Sequence, residues 1–438
     1  MHRSLPAVLI GTFTLRFSTG LTGALLVFYL ASLPEHGGPE VSAVTVGLLT
    51  ATFFVAELVL SPFFGIASDR AGAHRIMQLG PIFGAAAVII TGLTTNLYLL
   101  AATRWLEGAS AGASIPSILG YIAAATSDDE QLRGRTVARF EAATLAGLGF
   151  GVVAAGALYT ALGRNAFFLN AAIYGVSLLI YRYRVRVPAG VTVTSDGGGK
   201  RFDIGRYRRL LSSSRVWLLA PTWIALNAYV GLWTSQSIFQ LVKEPRPGFG
   251  GQLLMGGFAP NQVSIGLAIW LAVFFAGLLY WGGRFKRFRR TTIIGIGIAG
   301  GALETAAIFG LNHSADWGVL VQGGLALAAA GGLFVLAGAT PAALGLLADI
   351  SEGHPQDRGL IMGLYSVFLG IGQITGSLFG GGAAEWRGID GLLVASLVFL
   401  AVALLPLQRL RASEHLVGTR SGPMTDPGDA PMERAGAR

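Results

Sequence analysis

Gly65-Ile66-Ala67-Ser68-Asp69-Arg70-Ala71-Gly72-Ala73-His74-Arg75 is a short polar island in an apolar chain. The apolar stretch 43–66 runs up to it and the stretch 76–95 runs away from it. Each has about the 20 residues that a helix needs to cross a bilayer. So short and charged a turn between two such helices marks a membrane-surface loop. Working outward, the same alternation predicts twelve spans. The first six are 6–33, 43–66, 76–95, 97–125, 138–162 and 165–186. The second six are 215–242, 261–283, 291–311, 317–348, 359–383 and 389–410. The spans 97–125 and 317–348 are longer than a straight crossing requires, so they are expected to tilt or protrude.

Composition points the same way. Of 438 residues, 53% are hydrophobic and only 13% charged, against about 25% charged in soluble domains. So few charges cannot cover a soluble surface, which excludes most soluble enzymes. The chain has no cysteine, so it offers no disulfide framework, thiolate nucleophile or cysteine-ligated metal. His2, His36, His74, His313, His354 and His415 are scattered through tails and loops, and no metal centre is expected. Nucleotide-binding and hydrolase motifs are missing as well, so no cofactor and no enzymatic activity are expected. Scarce lysine beside abundant Arg, Ala and Gly suggests a GC-rich bacterial genome.

The net charge of +9 would suggest a nucleic-acid partner in a soluble protein. Here the basic groups lie in short segments between spans, which fits a membrane surface and its lipids instead. Of the 32 lysines and arginines, 26 fall in the termini and alternate loops, four in the opposite loops, and Arg16 and Arg104 inside spans. The positive-inside rule then places both termini in the cytoplasm. The expectation is a multi-pass protein of a bacterial cell membrane. Met1-His2-Arg3 precedes the first run with no cleavage site after it, so that run is expected to remain a helix.

The polar segment 187–214 is the longest connection. It divides the chain into an N-terminal six-helix bundle, 1–186, and a C-terminal one, 215–410, followed by a tail, 411–438, expected to be disordered. An internal repeat supports the division. Shifted by 225 residues, Pro116 falls on Pro341, Arg133-Gly134 on Arg358-Gly359, and Gly147, Gly151 and Gly156 on Gly372, Gly376 and Gly381. Paired halves of this kind hold a binding site at their interface and rock to alternate access to it. Because one chain carries both halves, a monomer is expected.

Gly65, Asp69, Arg70, Gly72 and Arg75 match the G-x-x-x-D-R-x-G-R-R-R signature of the major facilitator superfamily, which the chain resembles; Ala73 and His74 depart from it. The resemblance implies an all-α fold of twelve transmembrane helices in two pseudo-symmetric six-helix bundles. It also implies that this loop latches the cytoplasmic side in the outward-facing state. Asp69 is then expected to meet Arg133 or the N-terminus of the eleventh helix; Glu141, at the same inner edge, reads equally as a gate or cap and as a substrate contact. Arg104, followed by Glu107 and Gly108, resembles the family's second motif, which implies a part in proton coupling. As residues alone, Arg104 and Glu107 are three apart on one helix and able to pair as a structural bridge. The fifth-helix pattern of drug–proton antiporters is matched in part, at Gly147, Gly151 and Gly156, with Val152 where that pattern has proline and Ala155 where it has glycine.

Three further charges lie deep. Arg16 and Glu57 sit about ten residues, or ~15 Å, from the same membrane surface on antiparallel helices, so they are able to meet. Protonation of Glu57 would release Arg16 and bias a two-state carrier; a permanent ion pair is the structural alternative. Glu304 is the third deep acid. Asn170, Trp223, Asn227, Trp233, Gln236, Gln322, Tyr365 and Gln373 join Arg16 and Glu57 as candidate substrate contacts, with interhelical hydrogen bonding as the alternative for about half of them. The expectation is proton-coupled export (or sodium-coupled) of a small amphipathic organic molecule. Alternatives are proton-coupled uptake of a sugar-like or organic-acid solute and transport of a lipid or lysolipid. Outside transport, a sensor that binds without carrying remains open.

Overall fold

The computed structural model describes residues 4–127, 129–186, 216–244, 248–285, 287–352 and 358–414, the side chains of 351–363, 413 and 414 excepted. The connection 187–214 and most of the tail 411–438 therefore lie outside the described residues.

Ten helical stretches are long and apolar enough to cross a bilayer. In lipid every backbone polar group must be satisfied within its own segment, which leaves the helix as the form for such runs. The first half comprises α1 (Leu5–Ala31), α2 (Ala43–Ala71), α3 (Leu79–Leu93), α4 (Leu97–Ala125), α5 (Glu130–Leu162) and α6 (Ala166–Leu179). The second comprises α7 (Val216–Val242), α8 (Pro260–Gly282), α9 (Arg290–Asn312) and α10 (Val319–Leu336, resumed as Ala339–Glu352). One merged helix, Arg358–Glu414, breaks at Arg387 and Gly388 and supplies α11 (358–386) and α12 (389–414).

Two of the ten stretches double back, so the described residues fit the twelve passes expected. Tyr159 of α5 stacks on Phe28, and Phe167 of α6 meets Tyr29, both at the end of α1. The chain turns between them at Gly163, whose φ of +55° suits glycine. The second reversal is at Gly388, φ +59°, and brings Gly391 against Ala383. The start of α1 and the end of α12 share one face of the molecule, here the terminus side; the opposite face is the far side.

Side-chain caps set several helix starts. Ser42 accepts from Thr45 N–H, Asn96 from Tyr98 and Leu99 N–H, and Asp129 from Leu132 N–H. The Asp129 cap explains why α5 begins eight residues before the expected span at 138. Polar first turns are invisible to a hydropathy pattern. α10 is broken at Ala337–Gly338, where Gly338 lies against the Trp281 ring.

The repeat seen in the sequence is present in the packing. Gly147 and Gly151 of α5 lie against the backbone of α1 at Phe13 and Phe17. Gly372 and Gly376 of α11 lie against α7 at Ile224 and Ala228 in the same way. The offset is 225 residues for one helix and 211 for the other, at both contacts. Glycine is needed there because a Cβ would strike a carbonyl of the neighbouring helix.

Candidate functional site

Between the halves, contacts gather on the far side. α2 and α11 run antiparallel. Gly47 meets Ser377 and Gly381, Gly381 meets Ala43, and deeper down Leu58 meets Gly370. Ala43 N–H donates to Glu385 Oε2 at 3.0 Å, and Gln236 Nε2 donates to Ala43 O at 3.0 Å. Lys243 Nζ donates to Val41 O at 2.6 Å and pairs with Glu40 at 3.2 Å. On the other flank Gly156 N–H donates to Ser264 Oγ at 2.8 Å, and Gly149 packs on Leu271 and Phe275. One hydrophobic core runs through these contacts from both halves, whereas the terminus-side part of the second half has a core of its own. The far side is thus closed, and the deepest of these contacts lie at the level of Leu58 and Gly149.

Arg16, Glu57 and Glu141 lie within electrostatic reach of one another just below that level, without a direct ion pair among them. Arg16 is buried on α1, Glu57 is half-buried on α2, and Glu141 is exposed on α5. Arg16 is the cation facing both carboxylates. The spacing along α1 from Leu5 puts Arg16 about 16 Å from the terminus-side end. From the second half, Trp223 stacks on Tyr365 with ring centroids 4.9 Å apart, and Tyr365 lies within electrostatic reach of Glu141. The Trp223 indole N–H has no hydrogen-bond partner among the described residues. Asn227 takes the place on α7 that Arg16 takes on α1, each beside the equivalent glycine.

Other candidates do not join this group. Arg104 and Glu107 form an ion pair sealed inside the first half, with the Arg104 guanidinium 4.8 Å over the Phe53 ring and its Nε donating to Leu49 O at 3.4 Å. Glu304 is buried in the second half, where Tyr229 OH donates to it at 2.9 Å. Asn170 is fully buried and donates to Ser18 O at 3.1 Å and Thr22 Oγ1 at 2.8 Å, which ties α6 to α1. Gln322 Nε2 donates to Ser314 O at 2.9 Å at the far-side start of α10. Trp233 Nε1 donates to Ser396 Oγ at 3.0 Å. Gln236 closes the far side instead of lining the space below it. Gln373 Oε1 accepts from Thr234 Oγ1 at 3.3 Å, and Asn227 Nδ2 donates to Trp223 O at 2.8 Å.

The terminus-side motif is disengaged. Asp69, Arg70 and Arg75 are exposed, Gly72 has φ +93°, and Gly65 touches Pro116 of α4. Arg133 donates to Thr126 O and Ser127 O, each at 3.2 Å, and Asp69 has no ion-pair partner among the described residues. This suits a molecule closed on the far side, since a terminus-side latch has nothing to hold.

Sequence reasoning missed Glu385. Its helix was expected to end at 383, and a lone acid past the end of a span reads as loop. It also missed the staple over the far side of the second half. There Asp390 binds His313 Nε2 at 3.0 Å and Asn312 Nδ2 at 2.9 Å, while Asn312 takes Leu253 and Leu254 N–H. No spacing in the sequence links residues so far apart.

Long apolar helices in two repeated halves are the architecture of a membrane transporter. A profile of the Major Facilitator Superfamily matches residues 8–260 and 248–424. The chain belongs to the major facilitator superfamily and is a transporter of small molecules, not an enzyme. Multidrug resistance protein 1 of Bacillus subtilis is 23% identical over 348 residues, 78% of this chain and 81% of that one. Quinolone resistance protein NorA of Staphylococcus aureus is 28% identical over 123 residues, 28% of this chain and 30% of that one. Among solved structures, a bacterial homologue of the human lysosomal transporter Spinster, in an inward-facing and occupied conformation, aligns with TM-score 0.71 at 14% identity, covering 96% of this chain and 98% of that one. The nucleoside transporter NupG aligns with TM-score 0.69 at 15% identity, over 93% and 98%.

Proposed function

We propose that this transporter exports a small amphipathic organic molecule in exchange for protons, with Glu57 as the proton site and Arg16 as its charge partner. The observation that supports this reading is that Arg16 on α1 lies within electrostatic reach of Glu57 on α2, just below the far-side closure, without being locked to it in a direct ion pair. A carboxylate there is neutralised either by Arg16 or by a proton. Only the second frees the guanidinium, and that difference is what lets a proton bias the two states. Glu141, facing both Arg16 and Tyr365, is a second carboxylate on the same route. The Trp223–Tyr365 stack offers an aromatic surface with an unpartnered N–H, suited to a molecule with a flat apolar body and a polar group.

Two of the relatives carry names of drug resistance, which favours export. The amides of Asn227, Gln236 and Gln373 are engaged with the protein, which leaves fewer groups for a sugar-like solute and weighs against uptake. On the positive-inside distribution the terminus side is cytoplasmic, so the structure is open inward in a bacterial cell membrane. Both halves and the site come from one chain, as a monomer requires. Arg104–Glu107 and Glu304 act in this reading as structural polar contacts within their halves.

The test uses proteoliposomes with an internal pH-sensitive dye, an imposed proton gradient, and drugs, sugars, organic acids and lysolipids as candidate substrates. Proton flux opposite to substrate movement, reduced at least about tenfold by Glu57→Gln, is the expected result. Substrate-driven proton flux that survives Glu57→Gln would falsify the assignment. Flux in the same direction as substrate would make the protein a symporter.

A further inference from the structure

The start of α2 is gripped from the other half through its backbone. Glu385 of α11 takes the N–H of Ala43, Gln236 of α7 takes its carbonyl, and Lys243 takes the carbonyl of Val41. Ala43 N–H is one of the free donors at a helix N-terminus, where a carboxylate is favoured by hydrogen bonding and by the helix dipole together. We propose that Glu385 is the far-side latch of this transporter, a carboxylate cap on α2 that forms only when the far side is closed.

Two further observations support this. The first is the register of α2 on α11. Position 43 faces 385, 47 faces 377 and 381, and 58 faces 370. Carried to the other end, this register sets Asp69 opposite position 359, in the first turn of α11. Each helix of the pair thus ends in a carboxylate set against the N-terminus of the other. With the far side closed, Glu385 is engaged while Asp69 is exposed and has no ion-pair partner among the described residues. The two caps are alternatives, one for each state.

The second is the pseudo-symmetric contact of α8 on α5. There Pro260 stands where α2 has Ala43, packed against Gly156 as Ala43 is packed against Gly381. Proline has no N–H to capture. The position equivalent to Glu385, 225 residues earlier, is Thr160, whose hydroxyl donates to Gly156 O within its own helix. The carboxylate occurs at the one of the two contacts that has a donor to receive.

The inference needs alternating access but neither the proposed direction nor the coupling ion, and its test uses neither substrate nor a gradient. The absence of cysteine allows a clean label pair. Cysteines at the exposed far-side positions Glu35 and Asp316, one in each half, carry spin labels in liposomes, and the distance distribution gives the ratio of far-side-open to far-side-closed molecules. Glu385→Ala is expected to raise that ratio about tenfold, as loss of a charge-assisted hydrogen bond would. Glu385→Gln, which keeps an acceptor oxygen without the charge, is expected to raise it less. Asp69→Asn is expected to lower it. A merely structural Glu385 would lower thermal stability and leave the ratio unchanged. An unchanged ratio in Glu385→Gln, or in Glu385→Ala where that variant folds, overturns the latch, as does a shift of the same sign in Asp69→Asn.

Discussion

Arg104 and Glu107 show how a charge is kept inside a membrane protein. The two lie three residues apart on α4, and both are buried. Arg104 is further held by the Phe53 face and the Leu49 carbonyl. Removing one member leaves the other buried and uncompensated, which costs about 3–5 kcal/mol. Arg104→Leu is therefore expected to lower the melting temperature of the purified protein sharply, and adding Glu107→Leu should restore most of the loss. A double variant no more stable than the single would show that the pair is not self-contained. The contrast with Arg16 is instructive. Arg16 faces two carboxylates on two other helices, so its partnership can change when the helices move. Arg104 has its partner on its own helix and keeps it.

At the scale of elements, glycine decides how closely helices approach. Gly151 of α5 lies against Phe17, and a side chain there would push α1 away. Gly175 of α6 has nothing within 4 Å of where a Cβ would stand. Gly151→Leu is expected to destabilise by at least ~1–3 kcal/mol through overpacking, and Gly175→Leu to change stability by less than ~0.5 kcal/mol. Melting temperatures of the two variants in detergent check this; equal effects would contradict the packing. Most helices were legible in the sequence, because apolar runs of this length have one solution in lipid. Their ends were less so. Glu130, Arg358 and Glu385 are polar residues recruited into helices beyond their apolar stretches. The deep charges were also legible, since each stands out in an apolar run. Their grouping was not. Whether Glu304 meets Arg16 or Tyr229 depends on which half folds around it, and Asn170 and Gln236 looked alike in the sequence though one ties α6 to α1 and the other closes the far side.

For the whole molecule, the orientation inferred from 26 basic residues on one side against four on the other has a direct check. Single cysteines at Glu35 and at Arg409 lie on opposite faces, and both positions are exposed. In intact cells a membrane-impermeant maleimide is expected to label the first and spare the second until the membrane is broken. The reverse result would turn the protein over, and with it the sense of transport. The closed far side also has a mechanical consequence. Of the glycine contacts between α2 and α11, the one deepest from the far side is Leu58 against Gly370, and a fulcrum at that level is expected when the halves rock. Glu57 is the neighbour of Leu58. A group at the fulcrum of a see-saw turns but hardly travels. If Glu57 is the proton site proposed above, it has no journey to make: the bilayer's two sides take turns reaching a carboxylate that stays in place while the walls above and below it part and meet.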